Sequence, residues 1–215
     1  MSHPAAIDIR DLRFTYDHQA TVDVPRLKLG RGESMSVIGP SGCGKTTLIH
    51  LIAGLMTPSA GTIELFGTSL TAMSESTRDR FRGQNIGLVF QNLHLLPALS
   101  VGENIKLATR LARRKPATGQ INTLMSELQI QGLEDRRPSA LSHGQAQRVA
   151  IARALIHKPG LLIADEPTSA LDDENALRVI KLLQHAATTS NAALLVVTHD
   201  QRIRGQLNHE YDMAQ

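Results

Sequence analysis

One segment of eight residues limits the possible folds of this chain more than any other feature. It reads Gly39-Pro40-Ser41-Gly42-Cys43-Gly44-Lys45-Thr46, with Thr47 next, and it fits the pattern G-x-x-x-x-G-K-[S/T]. We predict a buried strand over Ser34–Ile38 before it and an apolar helix over Thr46–Leu55 after it. A phosphate-binding loop has this context, so the segment predicts a nucleotide-binding protein that hydrolyses ATP.

The residue types of this loop suit a polyphosphate ligand. Glycines allow successive backbone N–H groups to turn toward an anion, and the following helix presents its N-terminus to the same phosphates. Lys45 is predicted to place a positive charge near the β- and γ-phosphates, and the Thr46 hydroxyl to reach Mg²⁺. Cys43 is a small side chain that fits inside the loop. A reactive thiol beside Lys45 is the alternative, and the sequence leaves it open.

Composition and charge exclude several classes of protein. The chain has 215 residues, 41% of them hydrophobic and 20% charged, which suits a single domain over 1–215. No apolar run approaches the roughly 20 residues of a membrane span, and no secretory signal is recognisable at the start. The single cysteine indicates a reducing cytosol. A net charge of only +3, with no Trp, gives no reason to expect nucleic acid as a partner.

Strand and helix patterns alternate along the chain, which predicts an α/β fold with a mainly parallel sheet. The predicted strands are Ile7–Tyr16, Val22–Leu29, Ser34–Ile38, Thr62–Phe66, Ile86–Phe90, Leu161–Ala164 and Ala193–Val197. The predicted helices are Thr46–Leu55, Ile105–Arg114, Gly119–Gln131, Gln145–His157 and Asp172–Ala186. Helical spacing dominates from about Ser74 to Lys158, so we expect a helical insert over about 92–158.

A second motif is the apolar run Leu161–Ala164 followed by Asp165, Glu166 and Pro167. A buried strand that ends in two acids would place Asp165 at the carboxyl edge of the sheet, where Mg²⁺ is expected. Glu166 can then act on the attacking water. The alternative from these residues alone is a strand end with two solvated acids.

A third motif is Leu141-Ser142-His143-Gly144-Gln145, which is followed by Gln147-Arg148-Val149-Ala150-Ile151-Ala152-Arg153-Ala154. With this motif the chain resembles the ATP-binding cassette (ABC) ATPases, whose signature segment is Leu-Ser-Gly-Gly-Gln. Other segments match family markers in the same order: Tyr16 for the aromatic that stacks on adenine, Gln91 for the glutamine loop, Ser169-Ala170-Leu171-Asp172 for the segment that crosses a dimer interface, and His199 for the switch histidine. The resemblance covers residues 16 to about 200.

The resemblance implies a P-loop NTPase core with an N-terminal antiparallel β subdomain and a helical subdomain that carries the signature motif. It also implies a second copy of the chain, with which this chain closes head to tail around ATP and Mg²⁺. The signature segment Ser142, His143, Gly144 and Gln145 would contact the γ-phosphate bound by the other subunit.

The resemblance assigns roles to the remaining markers. Glu166 would polarise the attacking water, and His199 would contact the γ-phosphate. The residues that would bind Mg²⁺ are Thr46, Asp165 and Gln91. Gln91 would also transmit the state of the site to an integral membrane permease. The resemblance places this chain on the cytoplasmic face of the inner membrane, bound to that permease.

Two details qualify these expectations. His143 replaces the first signature glycine, so the hydrolysis rate depends on whether the backbone there has a positive φ. The region Ile86–Ala108 resembles the lipoprotein-releasing, macrolide-exporter and cell-division ATPases. Four leucines of this region form either a surface for a permease or part of the core of the helical insert; they are Leu93, Leu95, Leu96 and Leu99. A soluble ABC ATPase, or an ATP-gated clamp with little hydrolysis, is the alternative function.

Overall fold

The computed structural model describes residues 4–16, 19–169 and 171–214, and the side chains of residues 16 and 19–21 lie outside that description. The strands are β1 (Ile7–Tyr16), β2 (Gln19–Leu29), β3 (Ser34–Ile38), β4 (Ala60–Leu65), β5 (Thr68–Ser69), β6 (Ile86–Val89), β7 (Leu161–Asp165), β8 (Ala193–Thr198) and β9 (His209–Asp212). The helices are α1 (Lys45–Ile52), α2 (Glu75–Asn85), α3 (Val101–Leu111), α4 (Gln120–Glu127), α5 (His143–Leu155) and α6 (Asp173–Thr189). Short 3₁₀ turns occur at Pro138–Ala140 and Gln201–Ile203.

Five parallel strands form the central sheet, in the order β6-β7-β8-β3-β9. Every residue of β3, β7 and β8 is buried, as expected for parallel strands with both faces covered. Alternate residues of β7 and β8 enter two separate cores. Leu162 and Leu194 pack with α5 and α6, whereas Ile163 and Leu195 pack with α1 and the second sheet.

The second sheet is antiparallel, with the order β2-β1-β4-β5. Its inward side chains, such as Ile9, Val24 and Ile63, share a core with Leu48 and Ile52 of α1. The fold class is therefore confirmed: an α/β core with a parallel sheet and an antiparallel β layer toward the N-terminus.

Three α-helices and no strand lie between β6 and β7, in a stretch that is described throughout. The bounds 92–158 of the helical insert stay a prediction. The structure also distinguishes the leucines that follow β6. Leu93 and Leu95 pack against the core shared by α5 and α6, whereas Leu96 is 43% exposed. Leu93 and Leu95 therefore contribute to the core, whereas Leu96 lies at the surface.

Several predicted boundaries need correction. Helix α1 ends at Ile52 instead of Leu55, because the chain turns at Gly54 with a positive φ of 66°. Helix α5 begins at His143 instead of Gln145, because the Ser142 side chain caps it. Asp172 caps α6 instead of being its first helical residue, and the helix continues to Thr189 instead of ending at Ala186. Among the described residues, no helix is long and apolar enough to cross a membrane.

Candidate active site

The candidate active site lies at the carboxyl edge of the parallel sheet. Strand β8 lies between β7 and β3 there, with Ile38 paired to Thr198 and Asp165 paired to Val197. The phosphate loop follows β3, Glu166 follows β7, and His199 follows β8. Three segments distant in sequence therefore meet at one edge, which is where α/β sheets bind ligands.

The phosphate loop depends on its glycines for both conformation and space. Gly42 and Gly44 have positive φ angles of 84° and 95°. A Cβ on Gly44 would lie 2.4 Å from Cγ2 of Val22, whereas a Cβ on Gly42 would meet nothing within 4 Å. A Cβ on Gly39 would lie 2.7 Å from Sγ of Cys43. The loop therefore packs tightly against β2, and Cys43 fills the space beside Gly39.

Lys45 begins α1 and is almost fully buried, with 6% of its surface exposed. Its Nζ donates hydrogen bonds of 2.9 Å to the carbonyl oxygens of Gly39 and Pro40. The same Nζ lies 3.8 Å from Oε1 of Glu166. The amine is thus held over the loop, at the helix N-terminus where an anion would be stabilised.

The Glu166 carboxylate accepts several hydrogen bonds at this edge. Its Oε2 accepts a 2.9 Å hydrogen bond from Oγ1 of Thr198, and its Oε1 lies 2.8 Å from Nδ1 of His199. The backbone N–H of His199 donates to both carboxylate oxygens at 3.2 and 3.3 Å. Because a carboxylate only accepts, Nδ1 carries the hydrogen and Nε2 is left for another partner.

The backbone of Glu166 is also unusual, with a positive φ of 46°. Its N–H donates to the carbonyl oxygen of Val197 at 2.8 Å, and its own carbonyl accepts from the backbone and hydroxyl of Ser169. A left-handed conformation at a residue other than glycine costs about 1–2 kcal/mol. Such strain is typical of functional positions, and here these bonds hold the carboxylate beside Lys45 and His199.

Asp165 has the properties of a magnesium ligand. It is 8% exposed, and its Oδ1 is buried with no hydrogen-bond partner among the described residues. Burial and the neighbouring Glu166 carboxylate raise the pKa of Asp165, against opposing effects from His50, Lys45 and a hydrogen bond from Thr46. A divalent cation would satisfy the unpartnered oxygen and favour the ionised carboxylate.

The described residues include no cluster of three or more His, Cys, Asp or Glu side chains that could enclose a metal. A Mg²⁺ ion at Asp165 and Thr46 would therefore take its remaining ligands from phosphate and water, which is its usual coordination beside a nucleotide.

The signature segment forms the exposed N-terminus of α5. Ser142 and Gln145 make a reciprocal capping box, in which Oγ of Ser142 accepts from N–H of Gln145 at 3.2 Å. The Ser142 hydroxyl hydrogen is therefore left to donate. His143 is the first residue of the helix and does not have a positive φ. The strain considered for this substitution is absent, and Gly144 has open space around it.

Of the remaining family markers, Gln91 has a described contact, whereas the side chain of Tyr16 is not described. Nε2 of Gln91 donates a 3.2 Å hydrogen bond to Oγ of Ser169, which places the glutamine beside the segment that follows Glu166. Gln147, which the motif does not require, donates from Nε2 to the carbonyl oxygen of Pro167 at 2.9 Å and joins α5 to the same segment. The side chain of Tyr16 and residue Ala170 lie outside the described residues, so the adenine-stacking role of Tyr16 stays a prediction.

Residues that sequence analysis missed surround the carboxylate. Thr198 binds Glu166, and Oγ1 of Thr168 donates to Oδ2 of Asp200 at 2.8 Å. Arg202 in turn binds Asp200 through two nitrogens. The run Thr-His-Asp after a buried strand was the available signal. It identified only His199, because hydroxyl and acid neighbours also occur in ordinary turns.

The fold and these contacts define a P-loop nucleotide-binding protein with a carboxylate and a histidine at the phosphate end. Residues 22–169 match the ABC transporter family. Over 190 residues the chain is 40% identical to the lipoprotein-releasing system ATP-binding protein LolD of Hydrogenovibrio crunogenus, covering 87% of this chain and 83% of that protein.

Solved structures agree with this match. CbiO1 of Clostridium perfringens, part of the ABC transporter complex CbiONQ, superposes with a TM-score of 0.81 and 27% identity over 92% of this chain and 79% of its own. The dimeric bacterial ABC transporter cassette MJ0796 superposes with a TM-score of 0.80 and 28% identity over 96% of this chain and 94% of its own. A post-hydrolysis dimer of MJ0796 bound to ADP and Pi superposes with a TM-score of 0.76 and 29% identity over 90% of this chain and 88% of its own.

The chain belongs to the ABC transporter family. It is an ATP-binding cassette whose reaction is ATP hydrolysis.

Proposed function

We propose that two copies of this chain close head to tail around two ATP molecules. Each nucleotide would lie between the loop Gly39–Thr46 of one copy and the segment Ser142–Gln145 of the other. The capped and exposed N-terminus of α5 supports this proposal, because its free N–H groups and the Ser142 hydroxyl hydrogen suit a phosphate. The dimeric form of the similar MJ0796 cassette supports it as well.

The observation that carries the catalytic assignment is the bonding of the Glu166 carboxylate by Thr198 and His199 beside Lys45. In the proposed reaction a water oxygen bonds to the γ-phosphorus, and the bond from that phosphorus to the ADP oxygen breaks. Glu166 accepts the water proton, while Lys45 and the loop N–H groups stabilise charge on the phosphate oxygens. His199 holds the Glu166 carboxylate through the hydrogen on Nδ1, and a hydrogen on Nε2 would let the ring also donate to a γ-phosphate oxygen.

Two further groups complete the proposed site. Thr46 and Asp165 would hold Mg²⁺, with Gln91 near it, and the ion would neutralise charge on the β- and γ-phosphate oxygens. Tyr16 would stack on adenine from the end of β1. Gln91 would change its contact with Ser169 when the two copies close, and so report closure outside the site.

The proposed partner is an integral membrane permease that this dimer drives from the cytoplasmic face of the inner membrane. The similarity to LolD supports a role in lipoprotein release or a related mechanical task. The 43% exposed Leu96, on the segment that follows Gln91, supplies an apolar contact for such a partner. Purification of the chain from detergent-solubilised membranes should yield a membrane protein that raises ATP turnover. Turnover unaffected by any membrane partner would contradict this role.

The catalytic assignment is tested with Glu166→Gln. The amide keeps the size of the side chain but cannot accept the water proton, so ATP binding should persist while turnover falls about 10²–10⁴-fold. The closed dimer should then accumulate with ATP in sedimentation experiments. Glu75→Gln is a matched control, because Glu75 is exposed at the start of α2, a helix with no buried residue. Parental turnover in Glu166→Gln would refute the assignment.

A further inference from the structure

Arg202 joins two segments that flank the catalytic carboxylate. It lies in the 3₁₀ turn Gln201–Ile203, three residues after His199. Its Nε and Nη2 donate to the two oxygens of Asp200 at 2.8 and 2.7 Å. Its Nη1 donates to the carbonyl oxygen of Leu171 at 3.1 Å and to Oδ1 of Asp173 at 2.7 Å. A planar guanidinium suits this double role, because its donors are fixed in a fork.

The Asp200 end of this bridge leads to Glu166. The backbone N–H of Asp200 donates to Oγ1 of Thr198 at 3.0 Å, and the same hydroxyl donates to Oε2 of Glu166 at 2.9 Å. The Asp200 carboxylate also accepts from Thr168, which is fully buried. The Arg202 guanidinium, followed by Thr168, lowers the pKa of Asp200 to about 2, so the ion pair is present at neutral pH.

The other end of the bridge reaches the segment 169–172. The Leu171 carbonyl and the first turn of α6 belong to the part of the chain that, in the proposed dimer, crosses to the second copy. Arg202 is therefore bonded at one end to the interface segment and, through Asp200 and Thr198, to the catalytic carboxylate at the other. Arg204, two residues further on, differs, because it pairs with Asp212 and Glu210 at β9.

We propose that Arg202 is a positioning residue that fixes the interface segment relative to Glu166 and His199, so that hydrolysis at one site depends on closure against the second copy. This inference rests on the proposed head-to-tail dimer. Arg202 does not contact the phosphate loop, so its contribution should be to the rate of hydrolysis and to cooperativity between sites, not to ATP affinity.

The test compares Arg202→Met, Arg202→Lys and the control Arg204→Met. In Arg202→Met we expect kcat to fall about 10–100-fold, because small displacements of catalytic groups have effects of this size. The KM for ATP should stay within about twofold of the parent, since it reflects binding by the loop. The Hill coefficient for ATP should approach 1. Arg202→Lys should recover part of kcat through Asp200, and Arg204→Met should behave as the parent.

Folding and dimerisation are checked separately. The Arg202→Met change is combined with Glu166→Gln, and ATP should still produce the dimer by sedimentation. Parental kcat and Hill coefficient in Arg202→Met would overturn the proposal. Equal losses in Arg202→Met and Arg204→Met would also overturn it, because a general loss of stability would then explain both. Absence of an ATP-dependent dimer in Glu166→Gln alone would refute the dimer and, with it, this inference.

Discussion

The two positive-φ glycines of the phosphate loop allow conformational strain to be separated from steric overlap. Alanine at Gly42 should incur only the cost of a left-handed conformation, about 1–2 kcal/mol, because its Cβ would meet nothing within 4 Å. Alanine at Gly44 has a similar φ but places a Cβ 2.4 Å from Cγ2 of Val22. Overpacking of this kind costs a further amount of about 1–3 kcal/mol.

We therefore expect Gly42→Ala to lower the free energy of unfolding by about 1–2 kcal/mol and Gly44→Ala by about 2–5 kcal/mol. Urea unfolding of both variants measures this difference. Val22→Ala, combined with Gly44→Ala in a double-mutant cycle, should return a coupling energy of about 1–3 kcal/mol, since the truncated side chain leaves room for the new Cβ. The cycle subtracts the cost of the Val22 truncation itself.

ATP affinity provides a second test of whether the Gly44→Ala substitution moves the phosphate loop. If Gly44→Ala moves the loop, its N–H groups no longer converge on the phosphates, and each lost hydrogen bond weakens binding by about tenfold. Calorimetric titration with ATP measures this loss, and the added Val22→Ala change should recover part of it. Equal destabilisation by the two glycine variants, or a coupling energy near zero, would refute the packing of Val22 against the loop.

Three further predictions follow from individual contacts. Lys45→Ala should weaken ATP binding about 10–100-fold, as expected for a lost charge-assisted bond, and unchanged affinity in calorimetry would contradict the loop assignment. His143→Gly should leave kcat within about twofold and lower the free energy of unfolding by at most about 1 kcal/mol, because His143 is helical without strain; a tenfold faster variant would contradict this reading. Asp200, with its pKa lowered to about 2, should stabilise the fold above about pH 4 and lose that contribution as pH falls toward about 2. Solvent screening reduces this contribution to about 1 kcal/mol, and Asp200→Asn should abolish its pH dependence in unfolding experiments.

The central site was predictable because its parts are local patterns that a parallel sheet brings together. Apolar runs end directly before Gly39, Asp165 and Thr198, which precedes His199, and parallel strands place such ends at one edge. The cap at Asp172 is also predictable from sequence, because its carboxylate accepts the backbone N–H of Asn175, which is only three residues ahead. Burial patterns and caps are short-range properties, so both appear in the sequence.

Other elements left no such pattern. Helix α2 has no buried residue, so its sequence carries no apolar periodicity to mark its bounds. Strand β9 lies in the polar tail, and parallel hydrogen bonds to β3 determine its conformation instead of its own apolar content. The bridge of Arg202 joins Leu171 and Asp173 to Asp200 across about thirty residues, and no spacing rule predicts a contact of that kind.

The composite site is tested most directly by mixing two inactive variants. Lys45→Ala weakens ATP binding by the loop of its own copy and removes the charge that stabilises the phosphate oxygens, and Ser142→Arg blocks the signature segment of its own copy. A head-to-tail mixed dimer contains one site built from an intact loop and an intact signature segment. With random pairing, single-turnover hydrolysis should recover about a quarter of the parental amplitude. A mixture as inactive as either variant alone would contradict a site shared between two copies.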